Sequence, residues 1–216
     1  MSKIKTIIFD FDGIIVESMD IKARAFAFLF KDYPEHVDEI VKFHMLHGGM
    51  SRFEKFEWIY QNLLHKPLSE SEMLELGKQF ANFVYQEVVS CPFVKGALEF
   101  LNKYYKKISL FIVSGTPEEE IRSIIKERGL EKYFVEIFGT PEKKDILNSK
   151  ILQKYKLNPE EIIAVGDSID DWEGAEKAGI KFIGRITQHN PFAGLKVEAM
   201  IHDLFDLDKI LSEKYV

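Results

Sequence analysis

The chain has 216 residues, of which 46% are hydrophobic and 30% charged, and its formal net charge is −6. This balance is typical of a folded globular protein with a sizeable core and argues against intrinsic disorder. The charges are spread along the sequence, so neither nucleic acid nor an anionic membrane surface is expected as a partner. A small anionic substrate would need local positive charge or a metal ion.

The number of cysteines and the length of the apolar runs indicate the cellular compartment of the protein. Cys91 is the single cysteine, so no internal disulfide can form, and no charged-then-apolar leader opens the sequence. The longest apolar runs are of strand length, far short of the roughly 20 residues that a membrane helix needs. We expect a cytoplasmic protein without a transmembrane segment.

Short runs rich in β-branched and apolar residues alternate with helical stretches along most of the chain. Such alternation predicts an α/β fold, a Rossmann-like parallel sheet with helices on both faces. The runs are continuously apolar, which fits strands that are covered on both sides. The predicted strands are 5–9, 108–113, 135–138, 162–165, 180–183 and a weak 197–201.

The alternation stops between the first and second predicted strands. In this stretch apolar residues recur at spacings of three and four, which predicts amphipathic helices. We therefore expect a helical domain at 17–91, inserted into a core of 1–16 and 92–216. The three helical sets are Ala23, Phe26, Leu29 and Phe30; Phe53, Phe56, Ile59 and Tyr60; and Met73, Leu76, Phe80, Phe83 and Val84.

Two aspartates, Asp10 and Asp12, follow the first strand and precede Gly13. Ligands of open α/β sheets bind outside the carboxyl ends of the strands, so Asp10 is expected to reach a binding crevice. The alternative is that Asp12 and Gly13 form a turn pair with no chemical role. Carboxylates elsewhere in the chain favour the first interpretation.

A second acidic cluster, Asp167, Asp170 and Asp171, follows the strand 162–165. It would bring more negative charge to the same edge of the sheet. Two unit charges about 4 Å apart interact by roughly 4 kcal/mol near a protein surface, so the carboxylates would repel without a cation. Mg²⁺, which takes carboxylate and phosphate oxygens, is the simplest explanation. Asp170 could instead cap the helix that we expect to begin near Asp171.

Two more strand ends carry groups that could hold an anion. Ser114, Gly115 and Thr116 precede a helix expected to start at a proline, and N–H groups at such a start bind anions. The alternative is that the Ser or Thr hydroxyl group only caps the helix, which is its common role at such a position. Lys143 and Lys144 follow the predicted strand 135–138. The alternative is that both are solvated, as lysines in loops usually are.

Together these segments resemble the four ordered motifs of the haloacid dehalogenase superfamily of phosphohydrolases. The resemblance spans nearly the whole chain, and within the superfamily it is to phosphoglycolate phosphatases and β-phosphoglucomutases with a small helical cap. Asp12 points to phosphate esters, because the dehalogenase and phosphonatase branches typically lack it. The motifs are Asp10 to Gly13, Ser114 to Thr116, Lys144, and Gly166 to Asp171.

The resemblance implies a role for each acidic residue. Asp10 would attack phosphorus and form an aspartyl-phosphate. Asp12 would protonate the leaving oxygen and then activate water. Mg²⁺ would be bound by Asp10, the backbone carbonyl of Asp12, Asp167 and, directly or through water, Asp171.

It also implies roles for the other two motifs. Ser114, with Gly115 and Thr116, would hold the phosphoryl oxygens. Lys144 would offset the charge of the nucleophile and the phosphoryl group. Lys143 is the alternative for that role, because the two lysines are adjacent and the usual Lys-Pro pair is absent; we favour Lys144.

The helical insertion resembles the cap that closes over the active site in this superfamily and selects the leaving group. Its loop contains His47, Gly48 and Gly49, followed by Ser51 and Arg52. We expect Arg52 and His47 to contact a polar substrate; the alternative is a turn in which Ser51 caps a helix and Arg52 is exposed.

The remaining candidates are expected to be structural. Cys91 has no identifiable catalytic partner and is predicted to be a buried hinge residue. The other histidines show no compact metal-ligand spacing: His36, His44, His65, His189 and His202.

These observations predict a Mg²⁺-dependent phosphatase that hydrolyses a small phosphorylated metabolite, similar to phosphoglycolate phosphatase. One alternative is a phosphomutase similar to β-phosphoglucomutase, which returns the phosphoryl group to the substrate. Another is a protein that binds a phosphorylated ligand without turnover.

Overall fold

The computed structural model describes residues 3–187 and 190–215. Within these ranges the strands are β1 Thr6–Phe9, β2 Ser109–Pro117, β3 Glu136–Thr140, β4 Ile162–Gly166, β5 Lys181–Arg185 and β6 Ala199–Ile201. They form one sheet in the order β3-β2-β1-β4-β5-β6, and every neighbouring pair is parallel. The predicted Rossmann-like α/β fold is confirmed.

The observed strand bounds differ from the predicted ones, most of all at the end of β2. β2 continues through Pro117, so the following helix starts one residue later than expected, with Pro117 as its N-cap. β6 is only three residues long, at the edge of the sheet, where fewer partners hold an extended chain.

Four helices occupy the stretch between β1 and Cys91: α1 Met19–Leu29, α2 Val37–Leu46, α3 Arg52–Asn62 and α4 Glu70–Ser90. The rings of Phe26, Phe56 and Phe80 bring α1, α3 and α4 together at centroid distances of 4.9 to 6.3 Å. The three predicted apolar sets thus lie on helices, whereas α2 was not predicted. The division into a core of 1–16 and 92–216 and a cap domain of 17–91 stays a prediction.

The buried face of α3 agrees with the predicted one at Phe56 and Ile59 but not at its other positions. Phe53 and Tyr60 were expected on that face, but both are only half-buried. The residues that turn inward are Arg52, Lys55, Phe56 and Ile59, spaced as one helical stripe. Two cations therefore occupy positions that apolar side chains usually take.

The other helices cover both faces of the sheet. α5 Ala97–Tyr104, α6 Glu118–Glu127 and α9 Leu204–Lys214 pack on the face that includes Ile7 and Phe9. α7 Lys144–Tyr155 and α8 Ile169–Lys177 pack on the opposite face, against Ile8 and Phe111. Alternate residues of β1 thus supply both cores, as the period of a strand requires. No helix in the described ranges is long and apolar enough to cross a membrane.

Candidate active site

The site lies at the carboxyl ends of the three central strands. Asp10 directly follows β1, and its backbone N–H donates to the carbonyl oxygen of Val165 at 2.9 Å. β1 lies between β2 and β4, so Ser114 on β2 and Asp167 after β4 flank Asp10 on its two sides. The sheet order therefore brings three of the four predicted motifs to one edge.

Three carboxylates converge there. One oxygen from each of Asp10, Asp167 and Asp171 lies within 4.8 Å of the other two. In the described part of the chain, Oδ1 of Asp167 is buried without a hydrogen-bond partner, and Oδ1 of Asp10 has only the Lys144 ammonium group, 3.1 Å away. Buried acceptor oxygens normally have hydrogen-bond partners, so a cation bound here would satisfy these carboxylates. This all-oxygen donor set fits Mg²⁺.

Gly13 makes this approach of the carboxylates possible. Its φ is +73°, and a Cβ atom there would lie 2.0 Å from Oδ2 of Asp167. Both the backbone conformation and the space therefore require glycine. The turn predicted for Asp12 and Gly13 is present, but it serves to bring two acidic segments into contact.

Lys144 is the cation of the cluster. It begins α7, is 9% exposed, donates to Oδ1 of Asp171 and lies 3.1 Å from Oδ1 of Asp10. The neighbouring Lys143 points away, with Nζ 3.4 Å from Oε1 of Glu54 and a mostly exposed side chain. The structure thus places Lys144, and not Lys143, at the acidic cluster.

Burial dominates the ionisation of the cluster. It raises the pKa of Asp10 to about 7; Lys144 opposes this shift, while Asp171 and Asp12 add to it. The pKa of Asp167 is raised well above its usual range by burial, and then by Asp10 and Asp171. A divalent cation between these groups would favour their ionised forms.

Asp12 has a different environment. Burial alone would raise its pKa, but the charge of Lys22 and hydrogen bonds from Lys22, Ser18 and Thr116 hold it below the usual value. Ser18 Oγ donates to Oδ1 at 2.5 Å, and Thr116 Oγ1 donates to Oδ2 at 3.2 Å. The two aspartates of one motif are therefore tuned in opposite directions, a pattern typical of acid and base pairs.

The segment Ser114 to Thr116 lies in the last part of β2, where the pairing with β3 shifts register between Val113 and Pro117. Ser114 is buried, and its Oγ accepts the backbone N–H of Thr116 at 3.1 Å. Ser114, Gly115 and Lys144 line a common cavity of about 230 Å³ that opens beside the acidic cluster. The predicted anion-binding segment and the predicted lysine thus face one space.

The loop between α2 and α3 closes over this edge. The N–H of Gly49 donates to Ser168 Oγ at 3.1 Å, and a Cβ on Gly115 would lie 2.5 Å from the carbonyl oxygen of Gly49. His47 lies further out, with Nδ1 3.8 Å from Oδ2 of Asp170. The helices between β1 and Cys91 therefore contact this edge of the sheet through the backbone at the paired glycines.

The alternative prediction for this loop, a helix cap at Ser51 with an exposed Arg52, is met only in part. Ser51 does cap α3, accepting the N–H of Phe53 at 3.2 Å, but Arg52 is buried and not exposed. Its Nη2 donates to Oε1 of Glu120 at 2.6 Å, and its guanidinium lies 4.5 Å from the ring centre of Phe80. Glu120 belongs to α6, so this ion pair links the helical insertion to the sheet portion.

The acidic cluster after β4 also differs from the prediction. α8 starts at Ile169 with Ser168 as its N-cap, so Asp170 is not the cap. Asp171 completes a capping box, because its Oδ2 accepts both the N–H and the hydroxyl of Ser168. This arrangement fixes the Asp171 carboxylate toward Lys144.

Sequence reasoning missed two basic residues of the helical insertion near the site, Lys22 and Lys55. Lys22 bridges Asp12 and Thr116, and Nζ of Lys55 lies 2.9 Å from Nδ1 of His44. His44, which was expected to be structural, is buried beside this lysine; His189 lies outside the described residues. The inward stripe at 52, 55, 56 and 59 is the signal that could have revealed Lys55.

The chain belongs to the haloacid dehalogenase-like hydrolase family. The model of this family matches residues 7–185, which include each of the four motifs at the sheet edge. Membership agrees with the sheet order, the strand-end aspartates and the position of Lys144.

Two curated relatives carry phosphatase names. A phosphorylated carbohydrates phosphatase of Thermotoga maritima is 26% identical over 184 residues, covering 83% of this chain and 83% of its own. A phosphoglycolate phosphatase of Pasteurella multocida is 26% identical over 226 residues, covering 98% of this chain and 100% of its own.

Solved structures share the fold. The hydrolase YfnB of Bacillus subtilis, solved bound to magnesium, superposes with a TM-score of 0.71 at 19% identity, covering 97% of this chain and 99% of its own. The likeness therefore extends over the helical insertion as well as the sheet.

Proposed function

We propose that the chain is a Mg²⁺-dependent phosphatase that hydrolyses a small phosphorylated metabolite through an aspartyl-phosphate on Asp10. The observation that carries this proposal is the meeting of Asp10, Asp167 and Asp171 with Lys144 at one sheet edge. The names of the curated relatives support a phosphate ester as substrate, with phosphoglycolate and phosphorylated sugars as the first compounds to test.

The proposed attack uses Asp10 as the nucleophile. Its carboxylate forms the bond to phosphorus while the bond to the leaving oxygen breaks, so the phosphoryl group moves to Asp10. Asp10, Asp167, Asp171 and the Asp12 carbonyl would hold Mg²⁺, which would supply positive charge for the phosphoryl oxygens. Lys144 adds a fixed positive charge, and Ser114 with its neighbouring N–H groups orients the remaining oxygens.

Asp12 is proposed to act first as the general acid and then as the general base. The leaving oxygen takes a proton from Asp12, and the resulting carboxylate then removes a proton from the water that attacks the aspartyl-phosphate. Without substrate, Lys22, Ser18 and Thr116 hold Asp12 in its ionised form, which suits the second step. The first step requires Asp12 to gain a proton as the substrate enters.

Two further features fit this proposal. The loop at Gly48 and Gly49 covers the cluster, which would limit the access of bulk water during transfer. For the compartment we propose a reducing cytoplasm, since the single cysteine, Cys91, is a buried free thiol.

Inorganic phosphate release from a panel of phosphorylated metabolites tests the function. We expect release in the presence of Mg²⁺ and its loss in EDTA, because the carboxylates need the cation to bind a phosphate dianion. Interconversion of sugar phosphates without net release would indicate the mutase. Binding of phosphorylated ligands without any reaction would indicate a non-catalytic protein.

Replacing Gly115 with alanine tests the contact with the covering loop. The new Cβ would collide with the Gly49 carbonyl and displace the loop, while the N–H of residue 115 remains. A displacement of about 1 Å in a catalytic arrangement costs up to roughly 100-fold in rate, so we expect kcat/KM to fall by about 10- to 100-fold. Unchanged kcat/KM with an unchanged melting temperature would show that the closed loop does not contribute.

A further inference from the structure

Arg185, the last residue of β5, reaches the turn that carries the first acidic motif. Its Nη1 donates to the carbonyl oxygen of Gly13 at 2.6 Å, and its Nε donates to the carbonyl oxygen of His202 at 2.9 Å. Nη1 and Nη2 also donate to the two carboxylate oxygens of Glu17, at 3.1 and 2.7 Å. The arginine side chain is only 8% exposed. One buried side chain thus ties the end of β5 to a segment near the start of the chain.

The turn from Phe11 to Val16 is closed by its own backbone. The N–H of Gly13 donates to the carbonyl oxygen of Val16 at 2.8 Å, and the N–H of Ile15 donates to that of Phe11 at 2.9 Å. The carbonyl oxygen of Gly13 is bound by Arg185 instead. Gly13 is buried, and a buried carbonyl group needs a donor, so Arg185 supplies what the turn itself does not.

The same turn forms one wall of the proposed metal site. Its backbone at Asp12 would offer a carbonyl oxygen to Mg²⁺. Gly13 packs directly against the carboxylate of Asp167, since a Cβ atom on Gly13 would lie 2.0 Å from Oδ2. A shift of the Gly13 peptide group would therefore alter the spacing of two expected ligand groups. Side chains that orient the ligands of a metal without touching it commonly set its affinity.

Glu17 fixes the direction of the guanidinium group. Its carboxylate is 44% exposed, and ion pairs that reach solvent add little to stability. The two parallel hydrogen bonds to this carboxylate do restrict the orientation of the arginine fork. Glu17 is itself held, because its N–H donates to the carbonyl oxygen of Pro92 at 2.9 Å. Arg185 thus presents Nη1 to Gly13 from a fixed position, and Glu17 balances its charge.

We propose that Arg185 is a positioning residue of the metal site, which holds the turn at Gly13 so that the Asp12 carbonyl oxygen and the Asp167 carboxylate face one cation. This inference rests on the Mg²⁺ site of the proposed function and adds to it a residue that acts through the backbone. Arg185 belongs to none of the four motifs and lies on β5, a strand from which no ligand is expected.

Calorimetric titration of the substrate-free protein with Mg²⁺ tests the proposal. In Arg185→Met the Kd for Mg²⁺ should rise by about 10- to 100-fold, the usual effect of removing a side chain that orients metal ligands. Charge alone predicts the opposite, because loss of the guanidinium group leaves Glu17 unbalanced and makes the region more negative. The direction of the change therefore separates positioning from charge. A variant that melts at a lower temperature but binds Mg²⁺ as tightly as the wild type, or more tightly, overturns the proposal.

Arg185→Lys is the milder variant and keeps the positive charge. A single ammonium group cannot reproduce the planar fork that binds Gly13 and both oxygens of Glu17. We therefore expect the Kd for Mg²⁺ to rise here too, by about 3- to 10-fold, between the wild type and Arg185→Met. Where Arg185→Met does not fold, an unchanged Kd in Arg185→Lys overturns the proposal.

The matched control is Arg24→Met. Arg24 also donates to both carboxylate oxygens of a glutamate, Glu87, at 3.4 and 2.5 Å, but on the exposed surface of α1. Its loss should leave the Kd for Mg²⁺ and phosphate release unchanged. A wild type that binds no Mg²⁺ overturns the proposed metal site, whereas equal Mg²⁺ binding by the wild type and the Arg185 variants overturns only the role of Arg185, so the two failures are distinct.

Discussion

Asp10→Asn is expected to abolish phosphate release, with a loss in kcat of at least about 10³-fold, since removal of a covalent nucleophile typically costs this much or more. An amide cannot form the proposed acyl phosphate and offers one metal ligand fewer. Asparagine has the same shape as aspartate, so the buried site after β1 keeps its volume. The measurement is inorganic phosphate release with saturating Mg²⁺.

The matched control is Asp38→Asn, because Asp38 lies exposed in the first turn of α2 and should be replaceable without effect. Thermal melting should show both variants folded. Removing the Asp10 charge also relieves repulsion within the cluster, so its variant is not expected to be less stable than the wild type without metal. Phosphate release by Asp10→Asn at a rate near that of the wild type would rule out Asp10 as the nucleophile.

Asp12→Asn is expected to lower kcat by about 10² to 10⁴-fold, the usual contribution of a positioned general acid and base. The loss should be larger for alkyl phosphates than for p-nitrophenyl phosphate, whose leaving group departs without a proton. Both steps lose their proton carrier for an alkyl ester, whereas only the attack by water loses it for the aryl ester. Hydrolysis rates of the two ester types by wild type and variant measure the difference.

Two results would contradict this account of Asp12. An equal loss on both ester types would argue against its role as the acid for the leaving group. Unchanged turnover of either ester would show that Asp12 is held by Lys22, Ser18 and Thr116 for a structural reason alone.

The sheet and its acidic edge were predictable from the sequence because local patterns determine them. Runs such as 5–9 and 162–165 are apolar throughout, and a parallel sheet places their ends at one edge. The positions of Asp10 and Asp167 follow from this rule without knowledge of the tertiary contacts. Their observed approach to Asp171 agrees with the expected metal site.

The helical insertion was less predictable because its contacts are tertiary. α2 was missed, and on α3 the apolar pattern that includes Phe56 and Ile59 found the buried face but not the two cations that lie on it. Both cations have partners on other segments, because Arg52 donates to Glu120 on α6 and Lys55 lies beside His44 on α2. A partner far along the chain lets a charged side chain occupy a buried position, and hydrophobic periodicity carries no information about such partners.

The choice between Lys143 and Lys144 shows the same limit on a smaller scale. Sequence offers two adjacent lysines, and only the start of α7 decides which one turns toward the sheet edge. Lys144 does so as the first helical residue, whereas Lys143 is the cap and lies near Glu54.

The most direct test of the central claim is detection of the covalent intermediate. Asp12→Asn, mixed with p-nitrophenyl phosphate and Mg²⁺ and quenched in acid, should accumulate phosphoenzyme, because this leaving group departs without a proton whereas the attack by water has lost its base. Peptide mass spectrometry is expected to locate the phosphoryl group on Asp10. A phosphoryl group on another residue, or phosphate release by the wild type with no phosphoenzyme in either protein, would contradict the mechanism.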